Sequence, residues 1–106
     1  MYVRMTFFSV NDGKMPALRE LYNKEVIPSH KQHKGIRFVH LLECLDDPNE
    51  GISVTAWDTK ADLDVYEKSG DYERLVGLFQ DMYRKSPSLK SYEVTASSEP
   101  ILLRIF

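Results

Sequence analysis

The stretch Val54-Thr55-Ala56-Trp57-Asp58-Thr59-Lys60-Ala61-Asp62-Leu63, continued by Tyr66-Glu67-Lys68-Ser69-Gly70-Asp71-Tyr72, carries three structural signals in close succession. Ile52 to Trp57 reads as a strand, with Ile52, Val54 and Ala56 on one face. Thr59 and Asp62 then stand at the S/T-x-x-D/E spacing of a helix start, and Leu63, Val65 and Tyr66 give a short helix. Gly70 breaks it. Beyond the break Tyr72, Leu75, Val76, Phe79, Met82 and Tyr83 recur at helical spacing, a second segment that ends before Pro87.

Working outward, Ile36 to Leu45 is rich in β-formers and is joined to Ile52 by the turn residues Asp46, Asp47, Pro48, Asn49, Glu50 and Gly51, a hairpin signature. Tyr2 to Val10 alternates Val3, Met5 and Phe7 with Arg4 and Thr6, as a strand does. Asn11, Asp12 and Gly13 end it. Pro16 suits a first helical turn, and Met15, Leu18, Leu21, Tyr22 and Val26 form the stripe of a first helix. Pro28 is expected to kink or interrupt that helix, and Gly35 to stop it. Leu89 to Ala96, with Tyr92, Val94 and Ala96 alternating, reads as the last strand. The order βαββαβ predicts an α+β fold, a four-stranded antiparallel sheet with helices on one face in the ferredoxin-like arrangement.

The chain has 106 residues, enough for a single domain over 1–106 with its core in 2–96. Its 42% hydrophobic and 28% charged residues are those of an ordinary globular protein. A net charge of −2 with scattered Lys and Arg supplies no basic field, which argues against nucleic acid and against anionic membrane surfaces as partners. No stretch approaches the ~20 apolar residues that cross a bilayer. The single Cys44 cannot form an internal disulfide and is expected to be a buried small apolar residue. With no apolar run and cleavage site after Met1, the expected location is a reducing cytoplasm.

Val3, Met5 and Phe7 oppose the face bearing Arg4, Thr6 and Phe8, so both faces of the sheet seek cover while the helices shield only one. A second sheet from an identical subunit would cover the other, which predicts a homodimer. The tail 100–106, with five apolar residues in Ile101 to Phe106, is expected at that interface.

Over residues 2 to 96 the chain resembles the antibiotic-biosynthesis-monooxygenase (ABM) family of the dimeric α+β barrel superfamily. The residues that carry the resemblance are Val54 to Leu63 and Tyr66 to Tyr72, similar to the family's tryptophan-ending third strand, capped helix and S-x-x-Y/F break. The resemblance implies oxygenases of quinols and anthrones that use no cofactor, haem-degrading enzymes, small-metabolite isomerases or uncharacterised relatives. Haem-degrading members combine an Asn, a Trp and a ligating His at positions that match Thr6, Tyr66 and Val76 here. All three depart, which argues against haem degradation by that route.

His40, in phase with Phe38 and Leu42 on the second strand, is the expected general base for removing a phenolic or enolic proton, unless it is a half-buried histidine bonded to a neighbour. Tyr66 and Tyr72 flank the helix break and either orient a substrate oxygen or pack the core. Arg4 and Thr6 share one strand face, where the arginine could hold a phenolate or carboxylate or could reach solvent. Trp57 ends a strand, and its indole N–H needs a partner if buried. Phe8, Phe38 and Phe79 complete the expected substrate-binding wall. His30 and His33, three apart, could meet on one face, but with no third ligand nearby they read as basic residues favoured at a helix C-terminus. No metal or other cofactor is expected. With these residues, the resemblance implies a cofactor-independent monooxygenase acting on a small aromatic or quinol-like metabolite. The alternative is a non-catalytic small-molecule-binding or regulatory protein of the same fold. A subunit built only for association would be favoured if Phe8, Phe38, Tyr66 and Phe79 filled the pocket.

Overall fold

The computed structural model describes residues 1–98, and the apolar tail at 100–106 lies outside them. Four strands, β1 (Tyr2–Ser9), β2 (Ile36–Glu43), β3 (Glu50–Trp57) and β4 (Ser88–Glu93), form one antiparallel sheet in the order β2-β3-β1-β4. The helices are α1 (Met15–Leu21), α2 (Ile27–Lys31), α3 (Lys60–Lys68) and α4 (Asp71–Leu78). This is the ferredoxin-like α+β arrangement.

Between α1 and α2 the chain does not break at Pro28. A π-helical segment, Tyr22–Val26, joins them, and the Ile27 N–H reaches back five residues to the Tyr22 carbonyl. A proline lacks the N–H for an i→i−4 bond and its ring crowds the carbonyl four residues back, so a locally widened helix accommodates Pro28 where a regular one would kink. Downstream, the Thr59 hydroxyl accepts the Asp62 N–H at 3.0 Å, the expected N-cap of α3. Gly70 takes φ +82 between α3 and α4, a left-handed conformation that glycine adopts at little cost.

Some boundaries move. The hairpin turn closes with the Cys44 N–H on the Glu50 carbonyl at 3.0 Å, so β2 ends before Leu45 and Cys44 is exposed rather than buried. Helix α4 ends at Leu78, just after Gly77; Phe79 to Met82 continue in turns rather than in helix, and Tyr83 bridges Val10. β4 is shorter than Leu89 to Ala96, ending at Glu93.

Register decides which side chains meet the helices. Arg4 pairs with Thr55, Thr6 with Ser53 and Phe8 with Gly51, and these face the helices together with Trp57 and Val39. Gly51 is required there, because a Cβ would lie 2.5 Å from the Phe8 ring. The opposite face carries Val3, Met5 and Phe7 beside Ala56, Val54 and Ile52, then Phe38, His40 and Leu42. The core joins Phe8, Val10, Leu18, Tyr22 and Val26 to Trp57, Leu63, Tyr66, Leu75 and Phe79.

Candidate functional site

Between sheet and helices lies a cavity of about 50 Å³. Its floor is Arg4, Thr6 and Phe8 of β1 with Ser53 and Thr55 of β3, and strand alternation puts all five on the helix side. Tyr22, Val26 and His30 close one side; Tyr66 from α3 and Tyr72, Leu75, Val76 and Phe79 from the α4 region close the other. The walls are mostly aromatic and aliphatic, and the polar groups are few and convergent, as in small-molecule sites.

Arg4 is only 5% exposed. Its guanidinium carbon lies 4.7 Å from the centroid of the Tyr72 ring and 5.4 Å from that of Tyr66, within cation–π range of both. Glu67 Oε2 approaches Nη1 at 3.0 Å, yet Nη1 donates no hydrogen bond, so the carboxylate is close but off the N–H line. The cation has a counter-ion and unused donor capacity.

His30 is 4% exposed, and its Nδ1 lies 2.8 Å from the Val26 carbonyl. A carbonyl only accepts, so Nδ1 carries the proton and Nε2 keeps its lone pair. Burial lowers the imidazole pKa to about 4, against the raising effect of the Val26 bond, which leaves His30 neutral at physiological pH. The ring lies 5.0 Å from Tyr66 and 6.3 Å from Trp57. Trp57 itself is fully buried, and its indole donates to the Thr55 hydroxyl at 2.9 Å, the partner its burial requires. The Tyr22 hydroxyl donates to the His40 carbonyl at 3.1 Å and lies 2.8 Å from Ser53 Oγ. Burial pushes the Tyr22 phenol up to about 12 and raises that of Tyr66 further, so both stay protonated donors.

Of the nine residues expected at the site, Arg4, Thr6, Phe8, Tyr66, Tyr72 and Phe79 line the cavity. Phe38, His40 and Trp57 do not. His40 is exposed on the other face of the sheet, its ring stacked on Phe38 at 4.4 Å. It was correctly placed in phase with Phe38 and Leu42. Pairing with Val54 then turns that whole set away from the helices, while Val39 and Leu41 turn toward them. Trp57 faces the helices but lies behind the Tyr66 and His30 rings.

The sequence reading missed His30 as a cavity residue. The available signal was its place four residues after Val26 and eight after Tyr22, in line with the apolar stripe. His33 Nε2 donates to Asp71 Oδ2 at 3.0 Å while His30 Nδ1 donates to the Val26 carbonyl, so the two histidines hold different partners. Among the described residues no group of three His, Cys, Asp or Glu is placed to hold a metal ion.

The model of the antibiotic biosynthesis monooxygenases matches residues 1–78. The chain belongs to that family. No curated protein matches it by sequence. Among solved structures it is similar to a Nitrosomonas europaea protein provisionally described as an ABM (20% identity, 91% of this chain and 100% of that one, TM-score 0.75). It is also similar to one from Deinococcus radiodurans with the same provisional description (14%, 95% and 99%, TM-score 0.77) and to Rv0793 of Mycobacterium tuberculosis (16%, 92% and 98%, TM-score 0.74). At such identities the likeness establishes the ABM fold alone. Thr6, Tyr66 and Val76 all line this cavity, and Val76 has no atom that could ligate iron.

Proposed function

We propose that the protein is a monooxygenase-like oxidoreductase that oxygenates a small electron-rich aromatic or quinol-like metabolite without a cofactor. The observation that supports this reading most is the buried, neutral His30 in an aromatic cavity beside a buried arginine. His30 Nε2 accepts the phenolic or enolic proton, and the Arg4 guanidinium stabilises the oxyanion left behind. The anion then reduces O₂ directly. A quinol and O₂ give a hydroxyquinone and water, so the substrate supplies every electron and no external reductant is needed. Family membership supports the reaction class.

The cavity must open for this chemistry. At about 50 Å³ it is smaller than the ~150 Å³ cavity known to take up benzene. The wall that moves is α4, which carries Tyr72 and is joined to α3 through Gly70. Phe8, Tyr66 and Phe79 pack around the space while Phe38 lies outside it, so the filling that would favour a subunit built only for association is met in part. Oxygen uptake with a panel of quinols decides between them. His30→Ala should lower turnover by about 10²- to 10⁴-fold while His40→Ala retains it. Equal activity of His30→Ala and the parent would remove the mechanism.

The unpaired sheet face fits the second half of the reading, a homodimer closed by two sheets, with Met5, Phe7, Phe38 and Ile52 against their partner equivalents.

A further inference from the structure

Arg4 and Glu67 form an ill-fitting pair. The guanidinium is 5% exposed at the cavity floor, whereas Glu67 is 41% exposed on α3. At 3.0 Å the carboxylate is near enough to balance the charge, but Nη1 donates no hydrogen bond to it. A buried N–H left unmade is costly, and a half-solvated glutamate can swing into water at little cost. Across the cavity His30 offers only an acceptor, since its Nδ1 is spent on the Val26 carbonyl. Both groups lie against the same Tyr66 ring, so one small ligand can reach both. A buried cationic donor, a neutral acceptor and aromatic walls define the complement: an aromatic ring with one anionic oxygen group and one hydroxyl.

We propose that the cavity selects a small hydroxylated aromatic monoanion, its charged oxygens displacing Glu67 from Arg4 and its hydroxyl donating to His30 Nε2. This rests on the site reading above and narrows its substrate class from neutral quinols to phenolic acids and their like. Glu67 is then a specificity-determining residue, a resident carboxylate that holds the arginine until a ligand carboxylate replaces it.

Three matched probes test it: 4-hydroxybenzoate, hydroquinone and benzoate, titrated against the full chain near neutral pH by calorimetry. The quenching of Trp57, the single tryptophan and a neighbour of Tyr66, is a second readout. The expected order is 4-hydroxybenzoate at least about tenfold tighter than hydroquinone, with benzoate weaker than 4-hydroxybenzoate. Glu67→Gln should tighten 4-hydroxybenzoate several-fold and leave hydroquinone unchanged. Arg4→Met, if folded, should abolish the preference for the anion. Hydroquinone binding as tightly as 4-hydroxybenzoate, or Glu67→Gln weakening the anion, would overturn the proposal. Binding with the Glu67→Gln gain but no oxygen uptake removes the monooxygenase reading and leaves this one standing. Uptake with neutral quinols and no anion preference does the reverse.

Discussion

His30 links stability and chemistry through one proton. Its folded pKa, about 4, lies below the ordinary histidine value of about 6.5, so between those values the unfolded chain binds more protons than the folded one. Stability from keeping this imidazole neutral is therefore complete above about pH 6.5 and falls as pH drops toward 4, by on the order of 3 kcal/mol. Urea melts across that window should show this slope, and His30→Phe should flatten it; an unchanged slope would place the titration elsewhere. Asp71 adds a second, more acidic stage. Partial burial works to raise its pKa, but bonds from Ser29, His33 and Arg74 hold it down to about 2, so its contribution is present above the usual carboxylate range and is lost as pH falls through about 2. On the proposed mechanism the same imidazole sets the acid limb of kcat/KM. The acceptor form persists down to about pH 4, so the rate should be flat through the ordinary histidine range and fall only near 4. A limb near 6.5 would place the base elsewhere than at His30. A base this weak removes a proton from a phenol of pKa about 10 only if the charges it creates are compensated; an ion pair at about 4 Å in an effective dielectric of 20 is worth about 4 kcal/mol, and Arg4 adds to that.

The α3–Gly70–α4 segment bears one wall of the cavity, and its two glycines make opposite predictions. Gly70 sits at φ +82 with nothing within 4 Å of an added Cβ, so Gly70→Ala meets only backbone strain and should destabilise by about 1 kcal/mol. Gly77 lies inside α4 with equally open space and no positive φ, so Gly77→Ala should stabilise by about 0.5 to 1 kcal/mol. Chemical denaturation of the two variants measures both, and a shared sign would contradict the backbone assignment. Asp71, the first residue of α4, ties that helix to Ser29 of α2 and to His33 just beyond it. The π-helical segment has a parallel effect on the other wall: its extra residue per turn carries the chain past Pro28 while keeping Tyr22 and Val26 buried.

Across the whole molecule the sheet presents one face to a cavity and the other to solvent or to a second copy. Phe7→Glu in the middle of the outer face should leave the monomer fold intact, and sedimentation over a dilution series should then show dissociation at concentrations where the parent stays dimeric. A parent already monomeric throughout would remove the dimer. The strand and helix order, the Thr59 cap, the Gly70 break and the opposed faces of β1 were all legible in the sequence, because each is written in spacing within a few residues. So was the sharing of one β1 face by Arg4 and Thr6, though not whether that face would meet the helices. The side of the sheet on which His40 stands was not: alternation puts it with Phe38, but only pairing with Val54, in a strand bulged between Ile36 and Phe38, decides which way that set points. Nor could local spacing foresee that burial would make His30 a neutral acceptor, or that Arg4 would be enclosed with a bond unmade. Those properties depend on desolvation by residues distant in the chain, so they exist only once sheet and helices have closed around them.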